Sequence, residues 1–300
     1  MKTDILNFAQ YNGGVVVALG KFDGIHIGHS RLLSYTSQKA RELGCAAAMY
    51  VISPGKCNLA DEKDMLNTAK SLGIDVVYTD MLTPEYRAMT PQQFVKNIIS
   101  SRLGAKHVVV GYNYRFGKER CGNTELLTEE CAKYDIGVTV IDCVTADIED
   151  DTVAVSSTEI RQRLAQGDVS AACVMLGRPY RIKGIVEHGR RLGHMIGFPT
   201  INFYPVGCLL PIKGGVYATR VTVDGETYKG ITNIGCNPTV TNNNALRVET
   251  HILDFNKDIY GKAVCLEFLE YIRGEKKFDS LEELSRQIDK DKEIAKKFEI

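Results

Sequence analysis

The sequence predicts an α/β fold, a parallel sheet covered on both faces by helices, followed by a small closed antiparallel β-barrel with a terminal helix. Three observations predict it. Short apolar runs alternate with amphipathic stretches through the first half. The second half turns rich in Val, Thr and Tyr and is punctuated by Gly. A length of 300 residues suits two domains of roughly 100–200 residues each. The change of texture near residues 177–182 divides the chain into 1–177 and 178–300.

In the first segment "GVVVALG" (14–20) reads as a buried strand and "HSRLLSYTSQKARELG" (29–44) as a helix stopped by Gly44. "CAAAMYVIS" (45–53) and "IDVVYTD" (74–80) read as strands on either side of a helix, "DEKDMLNTAKSLG" (61–73). "TPQQFVKNIISSRLG" (90–104) is helical and "AKHVVVGYN" (105–113) is again a strand. A last helix, "STEIRQRLAQGDVSAACVMLG", runs to Gly177. Strands alternating with helices imply right-handed crossovers and a parallel sheet.

In the second segment "YRIKGIVEHG", "GVYATRVTVDGETYKGITNIG", "LRVETHILDF" and "KAVCLEFLEYIR" are strand-like. Asp224-Gly225 within "VTVDGETYKG" is a hairpin signal. The charged stretch "DSLEELSRQIDKDKEIAKKF" closes the chain as a helix.

Lys+Arg and Asp+Glu balance at 37 each, so no global field favours a polyanion, and nucleic acid is not expected as a partner. Any anion site has to be local. Nine cysteines are scattered with no Cys-x-x-Cys, which suits reduced thiols rather than a disulfide or metal framework. No apolar run reaches the roughly 18 residues that a bilayer crossing needs, and the N-terminus carries no signal-peptide core. The expectation is a cytoplasmic protein without a membrane partner. The sequence sets no oligomeric state.

The chemistry begins at "ALGKFDGIHIGH". Two of only six histidines, His26 and His29, stand three apart in a glycine turn between the first strand and first helix. Ligands of open parallel sheets sit at the carboxyl ends of the strands, and a helix N-terminus there favours phosphate. The two histidines would donate hydrogen bonds to charge building in a transition state. A glycine turn with surface histidines is the bland alternative. "VVGYNYRFGKERCGN" adds Asn113, Arg115, Lys118 and Arg120 after a later strand. "VSSTEIRQRL" adds Ser156, Ser157 and Thr158 at a helix start, with Glu159 and Arg161 in its first turn. These hydroxyls also read as plain helix caps. Three such turns on one sheet edge favour a triphosphate pocket.

Together these motifs resemble the nucleotidyltransferases with a His-x-Gly-His signature, and more narrowly the adenylyltransferase half of the bacterial bifunctional riboflavin kinase/FAD synthetase family. That resemblance implies a Rossmann-like nucleotidyltransferase domain over 1–177. It makes His26 and His29 the catalytic pair on the ATP phosphates. Gly20, Phe22, Asp23, Gly24, Asn113, Arg115, Ser156, Ser157, Thr158 and Arg161 complete the ATP and FMN sites. One departure stands out: the family shows Pro-His-Pro after the second strand, whereas this chain reads Pro54-Gly55-Lys56.

The second half holds "VEHGRRLGHMIGFPTINF". Gly189, Gly193 and Gly197 recur every four residues, with Arg190, Arg191 and His194 between them as candidate phosphate partners. Glycine lets backbone approach a ligand closely, although barrel hairpins also use it. Thr200 and Asn202 point the same way if their segment is a strand, and hard oxygens of that kind suit Mg²⁺. "LLPIKGGVYA", "NIGCNPTV" and "VETHILDFNKDIYG" extend the resemblance to the riboflavin kinase half, over residues 15–300 in all. By that resemblance the three glycines cover ATP phosphates and Thr200 and Asn202 hold Mg²⁺ and ATP. Glu249 is then the catalytic base for the riboflavin 5′-hydroxyl. Val240 stands where the family more often has an aromatic residue.

The expected function is ATP-dependent phosphorylation of riboflavin to FMN by the barrel and adenylylation of FMN to FAD by the first domain. The rivals are a chain that retains one activity, the kinase first, and a flavin- or nucleotide-binding regulator without turnover.

Overall fold

The computed structural model describes residues 2–6, 13–53, 59–187, 200–203, 205, 212–236 and 246–299. They form two compact bodies, one of residues up to 156 and one from 157 onward, the latter including Leu59.

The first body is built on a six-stranded sheet. Alternation along β2 (Val15–Gly20) sends Val15, Val17 and Leu19 into one apolar core and Val16 and Ala18 into the other, the period-two signature of a strand buried on both faces. Helices α1 (Ile27–Leu43) and α2 (Glu62–Ser71) cover the second core through Leu32, Leu33, Ala40 and Ala69. Gly44 stops α1 in the left-handed conformation (φ 63°), as the sequence predicts. Strands β3 (Ala46–Ser53), β4 (Val76–Met81), β5 (Ala105–Gly111) and β6 (Gly137–Ile141) run parallel to β2. With β1 (Lys2–Ile5) the order is β1-β4-β3-β2-β5-β6. The chain moves outward from β2 to β4, then returns to lay β5 on the other flank of β2. The carboxyl ends of β2 and β5 therefore frame a topological switch point, where α/β sheets bind ligands.

Three features depart from expectation. The sheet is not wholly parallel, because β1 pairs antiparallel with β4; its short "KTDI" has no apolar run to announce it. The helix expected over 90–104 begins as α4 (Pro91–Phe94), after the short α3 (Pro84–Ala88), and continues as a π-helical run over Val95–Arg102. A π-helix keeps the apolar pattern of an α-helix nearly intact, so periodicity does not separate the two. After α5 (Thr124–Ala132), the helix expected over 157–177 is two helices, α6 (Ser157–Gln166) and α7 (Val169–Leu176). Gly167 (φ 87°) breaks it, and Asp168 caps the second part by accepting from Ala171 N at 3.0 Å. Between β6 and α6 lie the strands β7 (Thr145–Ile148) and β8 (Asp151–Ala154), paired as a hairpin.

The second body is an antiparallel sheet of β9 (Tyr180–Ile185), β10 (Ile201–Phe203), β11 (Gly215–Val223), β12 (Glu226–Cys236), β13 (Leu246–Ile252) and β14 (Ala263–Arg273). Their order is β10-β13-β12-β11-β14-β9. The edges meet through bridges Glu187–Asn202 and Gly184–Pro205, with Glu187 N donating to Asn202 O at 2.8 Å, which curls the sheet into a barrel. Tyr217, Val221, Ile234, Val248 and Phe268 fill its interior. A buried hydroxyl ladder, Thr219–Thr232–Thr250, crosses three strands at 2.8 and 2.9 Å. Asp224 and Gly225 turn β11 into β12 with positive φ (52° and 82°), as the hairpin signal requires.

The terminal helix α8 (Leu281–Ala295) is capped by Ser280 and packs Ala295 beside Val216, Ala218 and Ile231. Its buried Asp291 takes a two-pronged bond from Arg273 at 2.9 and 3.0 Å. Helix α7 buries Ala171, Ala172, Met175 and Leu176 and packs on β9 and β14. Packing thus groups residues 157–176 with the barrel, whereas composition places the change near 177.

Candidate functional site

In the first body the switch point is occupied by the turn from β2 into α1. Phe22 (φ 47°), Gly24 (φ 79°) and Ile25 (φ 38°) take left-handed backbone conformations, and the Phe22 ring tucks beneath Gly20. Phe22 and Asp23 are buried. The turn ends on His26, the N-cap of α1, whose Nδ1 accepts from His29 N at 3.3 Å. That bond leaves the neutral ring's proton on Nε2. The His26 and His29 rings stack 3.7 Å apart at 17°.

Glycine between them has a steric cause. A Cβ on Gly28 would lie 3.2 Å from His26 Nδ1 and 3.7 Å from Val144 Cβ, so any larger residue presses the ring out of place. The first turn of α1 carries no acidic side chain, which leaves the dipole of this 17-residue helix for an anion.

Burial pushes the His29 imidazole well below its ordinary value of 6.5, and the neighbouring His26 adds to the shift. His29 is therefore neutral near pH 7. Its Nδ1 is sealed from solvent and has no hydrogen-bond partner. A buried polar atom without a partner is a costly state. An incoming ligand oxygen is one group that would satisfy it.

On the adjacent strand, β5 leads into the loop with Asn113 and Arg115, both exposed. The loop is braced: Tyr112 N donates to Ile141 O at 2.9 Å, Phe116 and Gly122 exchange bonds at 3.2 and 2.9 Å, and Lys118 N donates to Met89 O at 2.6 Å. Arg115, Lys118 and Arg120 are exposed, a local cationic rim on a chain of no net charge. The structure thus brings Gly20, Phe22, Asp23, Gly24, His26, His29, Asn113 and Arg115 to the carboxyl edge of two neighbouring strands.

Ser156 closes the first body. Ser157, Thr158 and Arg161 stand in the first turns of α6 in the second body, where Arg161 Nη1 donates to Ser157 O at 3.4 Å. Partial burial lowers the Arg161 guanidinium from its usual value.

In the barrel, β13 lies between β10 and β12, so Glu249 is opposite Asn202 on one side and Asn233 on the other. Val248 and Thr250 are fully buried, so Arg247, Glu249 and His251 share the opposite face. Arg247 ion-pairs with Glu249 and donates from Nη2 to Asn202 Oδ1 at 3.4 Å. Thr200 lines a cavity of about 570 Å³ with Val186, Ile201, Ile252, Phe255 and Tyr260. Sequence reading did not find Arg247 or this cavity. The spacing of Arg247 and Glu249 on one strand face was a signal for the former. Gly189, Gly193, Gly197, Arg190, Arg191, His194, Val240, Pro54, Gly55 and Lys56 lie outside the described residues.

Among the described residues no cluster of His, Cys, Asp and Glu could hold a metal. The oxygen pair Thr200 and Asn202 is a different kind of donor set. No helix among them is long and apolar enough to cross a membrane.

A family model described as FAD synthetase matches residues 8–159, and one described as riboflavin kinase matches 176–299. Proteins described as bifunctional riboflavin kinase/FMN adenylyltransferase align over nearly the full length. The one from Haemophilus influenzae is 36% identical, covering 95% of this chain and 94% of its own. That from Bacillus subtilis is 34% identical, covering 93% and 91%. A crystal structure from Streptococcus pneumoniae, named as a macrolide-efflux protein, superposes with a TM-score of 0.85 at 28% identity over 98% of each chain.

Proposed function

The chain belongs to the bifunctional riboflavin kinase/FMN adenylyltransferase family, and from that premise we propose that it converts riboflavin to FMN in the barrel and FMN to FAD in the first body. The observation that carries the reading is the stacked His26–His29 pair at the anion-ready start of α1, for which a kinase alone has no use.

In the first step the riboflavin 5′-hydroxyl oxygen attacks the γ-phosphorus of ATP, ADP departs, and Glu249 takes the hydroxyl proton. Arg247 holds that carboxylate beside Asn202. Thr200 and Asn202 offer neutral hard oxygens, and Arg247 makes only a long bond to Asn202 Oδ1, so the pair fits Mg²⁺. When bound, Mg²⁺ would neutralise charge on the ATP phosphates. Gly189, Gly193 and Gly197 cover those phosphates in this proposal.

In the second step a phosphate oxygen of FMN attacks the α-phosphorus of a second ATP and pyrophosphate leaves. His26 and His29 donate hydrogen bonds to the charge that builds there. Gly20, Phe22, Asp23 and Gly24 shape the turn that presents them. Asn113, Arg115, Ser156, Ser157, Thr158 and Arg161 bind the nucleotide and FMN phosphates. The free thiols Cys121 and Cys143 at the surface suit a reducing cytoplasm, which completes the proposal.

Incubation with riboflavin, ATP and Mg²⁺, followed by chromatographic separation of the flavins, tests it. FMN followed by FAD is expected. FMN alone would reduce the protein to a kinase, and bound but unchanged riboflavin would make it a regulator.

A further inference from the structure

The core of the first body contains a polar chain that none of these steps uses. Asp80 on β4 is buried and accepts from Tyr50 OH on β3 and from Arg102 Nη1, each at 2.9 Å. The Tyr50 and Tyr86 hydroxyls lie 3.3 Å apart. Tyr50 has a single proton and gives it to the carboxylate, so Tyr86 supplies the proton for that contact. Burial raises both phenols above their ordinary value, so both remain protonated donors.

The aromatic contacts carry this order outward. The Tyr86 ring meets Phe94 edge-on at 6.0 Å, Phe94 packs on Phe116 at 5.5 Å, and Phe116 stacks on Tyr114 at 5.8 Å. Tyr114 and Phe116 flank Arg115 in the loop after β5. The Tyr114 hydroxyl is buried without a partner. The same loop is pinned to the α3–α4 segment by the bond from Lys118 N to Met89 O. At Gly117 (φ 73°) an added Cβ would stand 2.8 Å from Pro91.

Two features set this apart from ordinary core packing. Asp80 is buried whereas its partner Arg102 stays 39% exposed, so the pair fixes a buried carboxylate from the surface, a costly group that plain apolar packing on β4 would not need. Arg102 ends the π-helical run that begins next to Phe94, and such runs occur often at functional sites.

We infer that Arg102, Asp80, Tyr50 and Tyr86 form a positioning relay that fixes Tyr114 and Phe116, and through them the Asn113–Arg115 loop, in the geometry adenylyl transfer needs. The inference rests on the proposed second step. A misplacement of about 1 Å costs around a hundredfold in rate, so loosening the relay is expected to lower kcat/KM for FMN adenylylation by about ten- to a hundredfold.

The test compares wild type, Tyr86→Phe, Arg102→Met and Arg102→Lys, each as the full chain. FAD formation from supplied FMN is measured beside riboflavin phosphorylation and thermal unfolding. Expected is a tenfold or greater loss of adenylylation in Tyr86→Phe and Arg102→Met, carried mainly in kcat. Phosphorylation should stay unchanged, and Arg102→Lys should recover most of the loss. Tyr86→Phe removes one oxygen and keeps the ring, so it decides the matter if Arg102→Met fails to fold. Adenylylation within twofold of wild type in folded Tyr86→Phe overturns the relay. So does a loss that merely follows the folded fraction with no recovery in Arg102→Lys. A wild type that makes no FAD overturns the proposed second step itself, a result separate from these.

Discussion

Replacing His29 by Ala removes a ring stacked 3.7 Å from His26 and tilted against Phe22 at 5.1 Å. Two consequences follow, one for rate and one for stability. Loss of one donor aimed at developing charge costs about a hundred- to a thousandfold, or about 2.7–4 kcal/mol. FMN adenylylation should fall by that factor while riboflavin phosphorylation stays at the wild-type rate. The stability effect has a definite sign. The folded imidazole lies well below its ordinary 6.5, chiefly through burial and then through His26. Above pH 6.5 both folded and unfolded chains are neutral at this position and the contribution is flat. Below it the unfolded chain binds a proton that the folded chain refuses, so stability falls as acid is added, until the folded value is reached. The slope approaches about 1.4 kcal/mol per pH unit. Urea unfolding across pH 8 to 5 should therefore show wild type losing stability faster than His29→Ala below pH 6.5, with parallel curves above. Equal loss of both enzymatic activities would refute the role at the α-phosphate. A wild-type stability curve parallel to that of the variant throughout would refute the neutral, buried imidazole.

Glu249→Gln keeps size and hydrogen-bonding reach but cannot accept the proton, so FMN formation should fall roughly a hundredfold or more; unchanged ATP and flavin affinity in titrations would confirm that the loss is in the transition state, and a wild-type rate would assign the base elsewhere. Gly28→Ala places a methyl 3.2 Å from His26 Nδ1 on backbone that is already helical. Adenylylation should drop about tenfold with little change in unfolding temperature, and an unchanged rate would show that the His26 ring has slack. We also propose that the fragment 157–300 is more stable than 178–300. Only the former keeps Met175 and Leu176 buried, worth up to about 3–6 kcal/mol together, and equal urea midpoints would count against including α6 and α7 in the barrel body.

Much of the fold was legible because its signals are local. The apolar runs of β2, β3 and β5 (Val15–Gly20, Ala46–Ser53, Ala105–Gly111) are long enough to stand out. Gly44 and Asp224-Gly225 carry turn chemistry that one sequence shows. The π-helical run was hidden, since Val95, Ile98 and Ile99 bury just as they would in an α-helix. The break at Gly167 had a signal, Gly followed by the capping Asp168, but the apolar residues on either side concealed it. For the proposed site, His26 and His29 were singled out once their spacing was read together with the two later motifs. Arg247 was not, because its role depends on β10 and β13 pairing in the register that sets Asn202 against Glu249. The proposed relay through Asp80 was equally hidden, its members spread from Tyr50 to Arg102 and meeting only in the folded chain.

The two sites differ in the way their nucleophiles demand. Riboflavin offers a hydroxyl, which must lose a proton as it attacks, and in the proposed mechanism the barrel meets it with a partly exposed carboxylate, Glu249, paired with Arg247. The FMN phosphate is already an anion near pH 7, so the second reaction has no proton to remove from its nucleophile. It needs donors that tolerate two approaching anions without binding them too tightly in the ground state. A fully charged histidine pair would attract ATP and FMN strongly before reaction, and uniform binding of that kind lowers KM without raising kcat. Burial keeps His29 neutral, which in the proposed mechanism makes it a dipolar donor at the start of α1, while exposed positive charge is carried by Lys21, Arg115, Lys118 and Arg120. In the proposed mechanism, charge for capture thus stands at the rim, and the neutral His29 stands as a fixed donor beside the reacting α-phosphorus.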